Sequence, residues 1–161
     1  MYFSYFIDRI TLQTGNISAL VFLSGWERAY LHLSQSNFFG IGFQQLGYIE
    51  IDSFFQNKLA ALYLPRINIH DGGSTAAKIV AEFGLLGIFL LVMYIFYFIK
   101  YFKKIKKLKL SCNNIDKFYI SVFLLSSVNF FLRGMGYFSP IMFLFLSSII
   151  YFSYKKFNGV Y

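Results

Sequence analysis

The chain has 161 residues, 57% of them hydrophobic and 22% aromatic, with only 14% charged and a formal charge of +8. Ordinary soluble domains are about 45–50% apolar and about 25% charged, so a water-exposed globule of this composition would leave much Phe, Tyr, Leu and Ile uncovered, and that excess has to face lipid or protein. The placement of charge argues against nucleic acid as the partner: residues 1–75 hold four basic residues and five acids, residues 76–161 hold eleven and two, and six of those eleven are lysines between Lys100 and Lys109. A lysine block directly after an apolar run is what the positive-inside bias of membrane helices produces.

In chain order, residues 1–7 are apolar but lack the basic flank of a signal peptide, and read better as the tail of a membrane helix. Residues 8–75 mix turn formers with short apolar bursts, and none reaches spanning length. Within them, residues 17–33 carry apolar side chains at 20, 23, 26, 30, 31 and 33, which suits an interfacial amphipathic helix. Residues 79–99 hold one acid, Glu82, and from Phe83 to Ile99 no charge at all, enough for a helix that crosses about 30 Å of hydrocarbon. A basic loop at 100–117 follows, then helix-start chemistry at Asn113, Asn114 and Asp116. Two shorter apolar runs end the chain, the first between Lys117 and Arg133, the second up to Lys155 and Lys156 with Pro140 near its start.

The expectation is an all-α integral membrane protein with about three transmembrane helices (about 76–99, 118–133 and 138–154, with a cytoplasmic loop at 100–117) and an external helical and loop segment over 1–75. Both lysine clusters then lie on the cytoplasmic side, and residues 1–75 and the turn at 133–138 lie outside. The single Cys112 excludes an internal disulfide, and no Cys/His cluster suggests a metal, so neither metal nor cofactor is expected.

Several residues could carry chemistry. Arg28, Arg66 and Arg133 fall outside or at the outer boundary, where a guanidinium offers planar donors to phosphate or simply contacts headgroups. His70 and Asp71 precede Gly72-Gly73-Ser74 and the long helix. The imidazole could accept a hydroxyl proton, or the segment could only cap the helix, with Asp71 or Ser74 as the cap. Lys78 and Glu82 are four apart, which fits a helical ion pair at the interface as well as a functional pair at a membrane helix end. Glu27 beside Arg28 fits a local ion pair, and Gly40-Ile41-Gly42 fits a tight turn better than a nucleotide loop.

Two stretches, Ser24-Gly25-Trp26-Glu27-Arg28 and Asn37-Phe38-Phe39-Gly40-Ile41-Gly42-Phe43, resemble the external loop of bacterial O-antigen polymerases, a superfamily that includes the O-antigen ligases. His70-Asp71-Gly72-Gly73-Ser74 with Lys78, Glu82-Phe83-Gly84 and Gly87 resembles the loop-to-helix junction that follows, and Arg133-Gly134-Met135-Gly136-Tyr137-Phe138 resembles a short external turn near the polymerase C-terminus. The resemblance covers most of this chain but only the C-terminal part of the family pattern, which implies a truncated or split polymerase in the bacterial inner membrane.

The resemblance implies a metal-independent glycosyltransferase that moves a glycan from undecaprenyl pyrophosphate to another lipid-linked repeat unit. It implies catalytic roles for Arg28, His70 and Asp71 and substrate contacts from Arg66, Arg133, Glu27 and Lys78. The implied partners are the undecaprenyl-pyrophosphate-linked oligosaccharide, membrane lipid, and an N-terminal half chain or chain-length regulator. A ligase-like transferase and a non-catalytic truncated membrane protein are the alternatives.

Overall fold

The structure, a computed structural model, describes residues 16–107 and 113–157. The expectations for residues 1–7, Lys109 and Cys112 lie outside the described residues. The described residues form helices without strands: α1 (Ile17–Gln35), α2 (Phe54–Ala61), α3 (Thr75–Lys107), α4 (Asn114–Phe131) and α5 (Pro140–Phe157).

Helix α1 starts where the Asn16 carboxamide oxygen accepts from the Ser18 and Ala19 amides at 3.1 and 3.3 Å, a standard N-cap. Its buried face is Leu20, Val21, Ser24, Gly25, Arg28, Ala29 and His32. This shifts the face expected from hydropathy: Leu20 is buried and Trp26 and Leu33 pack against the core, but Tyr30 is exposed, and Ser24, Gly25, Arg28, Ala29 and His32 take the most buried positions beside Leu20 and Val21. Close backbone approach explains the difference. A Cβ on Gly25 would lie 1.7 Å from the Gly72 carbonyl oxygen, so the 70–74 loop rests directly on α1 where only glycine leaves room. Helix α2 packs on α1 through Leu59 against Leu20 and Val21.

Helix α3 begins at the Ser74 cap, whose hydroxyl accepts from the Ala77 amide at 3.2 Å; Asp71 does not take that role. The helix is broken at Gly84, whose φ of 57° and ψ of −132° are not helical. The break frees backbone groups that have to be paired elsewhere. The 37–43 loop pairs them: the Ile41 and Gly42 amides donate to the Ala81 and Glu82 carbonyls, each at 3.0 Å, and the Leu85 amide donates to the Phe38 carbonyl at 2.9 Å. A Cβ on Gly84 would lie 2.1 Å from that Phe38 oxygen. The Gly40-Ile41-Gly42 turn is thus the plug of a helix break rather than a free loop.

Before the break, α3 is buried almost completely; after it, Leu85, Leu86, Phe89, Leu90, Val92, Met93, Ile95, Phe96 and Ile99 are exposed. The helix runs through the expected basic loop to Lys107, because lysine is a good helix former and no Gly or Pro intervenes. Helix α4 likewise starts four residues earlier than expected, capped by Asn113, and ends at Phe131, while α5 runs from Pro140 to Phe157. Residues 75–103 of α3 are long and apolar enough to cross a membrane, with a mean hydropathy of 2.4 over an 18-residue window, and residues 140–155 of α5 form a shorter apolar helix.

The three long helices meet in an aromatic core. Tyr94 contacts Phe123, Phe130 and Phe145, and its hydroxyl donates to the Phe123 carbonyl at 3.0 Å. Tyr101 stacks on Phe152 at 4.5 Å. At the far end, Asp116 of α4 accepts from Lys155 and Tyr151 of α5.

Candidate functional site

Three of the residues singled out in the sequence come together. Arg28, Arg66 and His70 line a cleft of about 550 Å³, joined by Gly47, Ile49, Glu50, Ile51, Asp52, Gln56 and Ile69. Arg28 reaches it from the buried face of α1. It is only 3% exposed, its Nη1 donates to the Ile69 carbonyl at 2.9 Å, and burial holds its pKa below the ordinary arginine value. A guanidinium stays cationic at neutral pH even so. One backbone bond fixes the fork, and desolvation strengthens what it can offer an anion. Arg66 is exposed at the cleft wall.

His70 lies on the loop before α3, next to the Ile69 whose carbonyl Arg28 holds. Its Nδ1 is 3.2 Å from the Leu46 carbonyl oxygen and its ring packs against Tyr48 at 4.8 Å. A carbonyl only accepts, so in the neutral ring Nδ1 carries the hydrogen and Nε2 keeps a lone pair. The Leu46 amide in turn donates to Glu82 Oε1 at 3.2 Å. The backbone of one residue, through its two flanking peptide groups, therefore ties the histidine to the acid of α3.

The other expected site residues lie elsewhere. The Glu27 carboxylate accepts from the Ser53 hydroxyl and from the Phe54 and Phe55 amides, so it holds the N-terminus of α2 rather than pairing with Arg28. Asp71 is half-buried where its backbone meets Gly134. The Arg133 side chain is exposed and outside the cleft, while its carbonyl accepts from Thr75.

Lys78 and Glu82 form a pair at 3.9 Å, as their spacing suggested, but both are buried, and the Lys78 ammonium also donates to Gln44 at 3.2 Å and sits 5.0 Å from the Tyr137 ring centroid. Glu82 Oε2 and the Tyr137 hydroxyl are buried and make no hydrogen bond of ordinary geometry; burial and then the adjacent Glu82 charge push the Tyr137 phenol above its usual range. This cluster fastens the 37–46 loop, α3 and the 133–138 turn to one another.

Sequence reasoning missed His32, 1% exposed and one turn after Arg28 on the same face, with its Nε2 unpartnered. Burial first, and then the Arg28 charge, lower its pKa. The four-residue spacing from Arg28 was the available signal. Glu50 and Asp52 were also missed as cleft residues, and nothing in their local pattern marks them; Asp52 accepts from the Asn57 side chain at 2.7 Å. Chemically, the cleft can receive an anion at the arginines and a proton at His70 Nε2. Among known proteins, no family model, no characterised protein and no solved structure matches this chain.

Proposed function

We propose that this chain is the C-terminal part of a membrane-bound glycan transferase of the O-antigen polymerase kind, moving a glycan from undecaprenyl pyrophosphate onto a hydroxyl of another lipid-linked repeat unit. The observation that carries this reading is the convergence of Arg28, Arg66 and His70 on one cleft, from positions up to 42 residues apart in the sequence. In the reaction, the acceptor hydroxyl attacks the anomeric carbon, its proton passes to His70 Nε2, and the bond from that carbon to the phosphate oxygen breaks. Negative charge grows on the departing pyrophosphate, where the buried Arg28 and exposed Arg66 guanidiniums meet it.

The membrane reading rests on α3. Past the Gly84 break, residues 85–103 rise roughly 28 Å at about 1.5 Å per residue, close to the hydrocarbon thickness. Helices α4 and α5 cross beside it, short for a span and helped by lysine snorkelling. The lysine-rich end faces the cytoplasm of the bacterial inner membrane and the cleft faces the periplasm. A cavity of about 480 Å³ between α3 and α5, floored by α4 and lined almost wholly by aromatic and aliphatic side chains, suits an apolar substrate tail.

The test is complementation in a strain that makes the matching repeat unit but lacks its polymerase, expressing this chain together with its adjoining reading frame. The readout is the lipopolysaccharide ladder on a gel. His70→Ala and Arg66→Ala are expected to remove or shorten the ladder, and Arg28→Lys, which keeps the charge but loses the planar fork, to weaken it. A normal ladder in all three, with each protein present in the membrane, would refute the site. No ladder even from the unaltered chain would favour the non-catalytic alternative.

A further inference from the structure

A second surface lies at the Gly84 break. The 37–43 loop exposes Phe38, Phe39 and Phe43, with Phe39 at 86% exposure. They line a shallow depression of about 530 Å³ whose other wall is Phe83, Leu85 and Leu86 of α3, with Glu82, only 1% exposed, behind them. Phe43 continues the patch sideways, stacked on Tyr137 at 5.3 Å and edge-on to the exposed Phe138 at 6.4 Å. From Leu33 to Ile49 the chain carries no Asp, Glu, Lys, Arg or His.

Backbone geometry shows that this exposure is built rather than incidental. Asn37 and Phe38 adopt left-handed φ values of 50° and 70°, a conformation that costs a bulky residue stability. It is held because the Phe38 carbonyl has to meet the Leu85 amide at the break. The same twist turns two consecutive phenylalanines outward. The level of the loop is thereby tied to Leu85, the first exposed residue of the proposed span, and the patch continues without interruption into the exposed face Leu85, Leu86, Phe89 and Leu90.

We propose that the 37–43 loop is an interfacial anchor that buries Phe38, Phe39 and Phe43 in the outer boundary of a phospholipid bilayer, alongside Phe138. This rests on the reading of α3 as a membrane span. Continuity with that span and the lack of charge name the partner as lipid: a charge here would resist entry into the acyl region, and apolar side chains at this depth favour it. The consequence is positional. Because the loop and the Leu46 carbonyl that meets His70 belong to one connection between α1 and α2, anchoring the loop sets the height of the His70 cleft above the headgroups.

The chain has a single tryptophan, Trp26, so a Trp26→Phe background permits one reporter at a time. Phe39→Trp and Leu90→Trp are placed in nanodiscs of phosphatidylethanolamine and phosphatidylglycerol. Emission is quenched in turn by aqueous acrylamide, by lipids brominated near the headgroup end of the chain and by lipids brominated near its methyl end. The expected result is strongest quenching of position 39 by shallow bromines, of position 90 by deep bromines, and weak acrylamide quenching of both. Position 39 quenched by acrylamide while position 90 responds to deep bromines would overturn the anchor and leave the span standing. Position 39 shielded from acrylamide yet untouched by either brominated lipid would overturn it too, in favour of a protein cover. Acrylamide quenching of both would overturn the span and the anchor together.

Discussion

Residues 16–84 and residues 85–157 are held together by different means. The first region is fastened by backbone: helix caps, glycines pressed onto carbonyls, and amides of one segment paired with freed carbonyls of another. Its interior buries Leu20, Leu46 and Leu59 but, among the described residues, no Phe, Tyr or Trp ring, and it holds Arg28, His32, Lys78 and Glu82 besides. The second region is fastened by rings, with Tyr94, Tyr101, Phe123, Phe130, Phe145 and Phe152 interlocked and few hydrogen bonds between helices. Polar fastening fixes directions, which suits a region that brings Arg28, Arg66 and His70 to one cleft. Aromatic packing is indifferent to direction and tolerates a surface of exposed Leu, Phe and Ile.

On that contrast, the smallest added group should do most harm in the first region. Gly25→Val drives a side chain into the Gly72 carbonyl and is expected to cost about 4 kcal/mol or more, the top of the range for single substitutions. Since whole domains have only about 5–15 kcal/mol of stability, little folded protein should survive detergent extraction. The exposed Leu90→Ala in the second region should stay within about 0.5 kcal/mol. Comparable losses at both sites would erase the contrast.

The buried ion pair gives the next largest effect. Glu82→Leu strands the Lys78 ammonium away from water and is expected to lower stability by about 3–5 kcal/mol. Adding Lys78→Met should recover part of that, leaving the orphaned Leu46 amide, about 1–3 kcal/mol, and a half-buried Gln44 oxygen without its donor. Thermal unfolding of single and double variants separates the two parts. A double variant as unstable as the single would assign the fastening to the Leu46 bond alone.

The fold and the site were legible in the sequence to different degrees. The helices of the second region follow from uninterrupted apolar runs, and only their ends moved, because Lys103 and Asp116 continue helices as readily as they end them. In the first region the α1 helix was legible but its buried face was not. Hydropathy favours Trp26, Tyr30 and Leu31, whereas packing is decided by Gly25 and Ala29, whose importance is that they leave room. Arg28, Arg66 and His70 were recognisable as types of chemistry; that they share a cleft, and that Glu27 and Lys78 do not, depends on the Gly84 break and on which amides fill it.

A subtler difference between the regions is sensitivity to acid. His32 is buried neutral beside Arg28, with its folded pKa below the ordinary value near 6.5. The unfolded chain binds that proton first, so stability is fully present above about pH 6.5 and falls as pH drops from there toward the folded pKa. The slope is at most about 1.4 kcal/mol per pH unit for one proton. His32→Gln is expected to flatten this part of the profile in thermal unfolding between pH 7 and pH 5. An unchanged slope would mean that His32 is not the titrating group.

The smallest effect belongs to the second region. Tyr94→Phe removes the hydrogen bond to the Phe123 carbonyl while keeping the ring among its neighbours. The expected loss is about 0.6 kcal/mol, in line with polar contacts between membrane helices. A loss of several times that would show that hydrogen bonding, and not ring packing, holds these helices.

The most direct test of the central claim, that the cleft region lies outside and α3 carries the chain across, is sided labelling. In a background lacking the sole cysteine, Cys112→Ser, cysteine is introduced at two exposed positions, Ala60→Cys in α2 and Lys103→Cys near the end of α3. A membrane-impermeant maleimide is added to intact spheroplasts and, separately, to permeabilised ones. Labelling is expected at position 60 in both and at position 103 only after permeabilisation. Equal labelling of the two positions in intact spheroplasts, or labelling of position 103 alone, would contradict it.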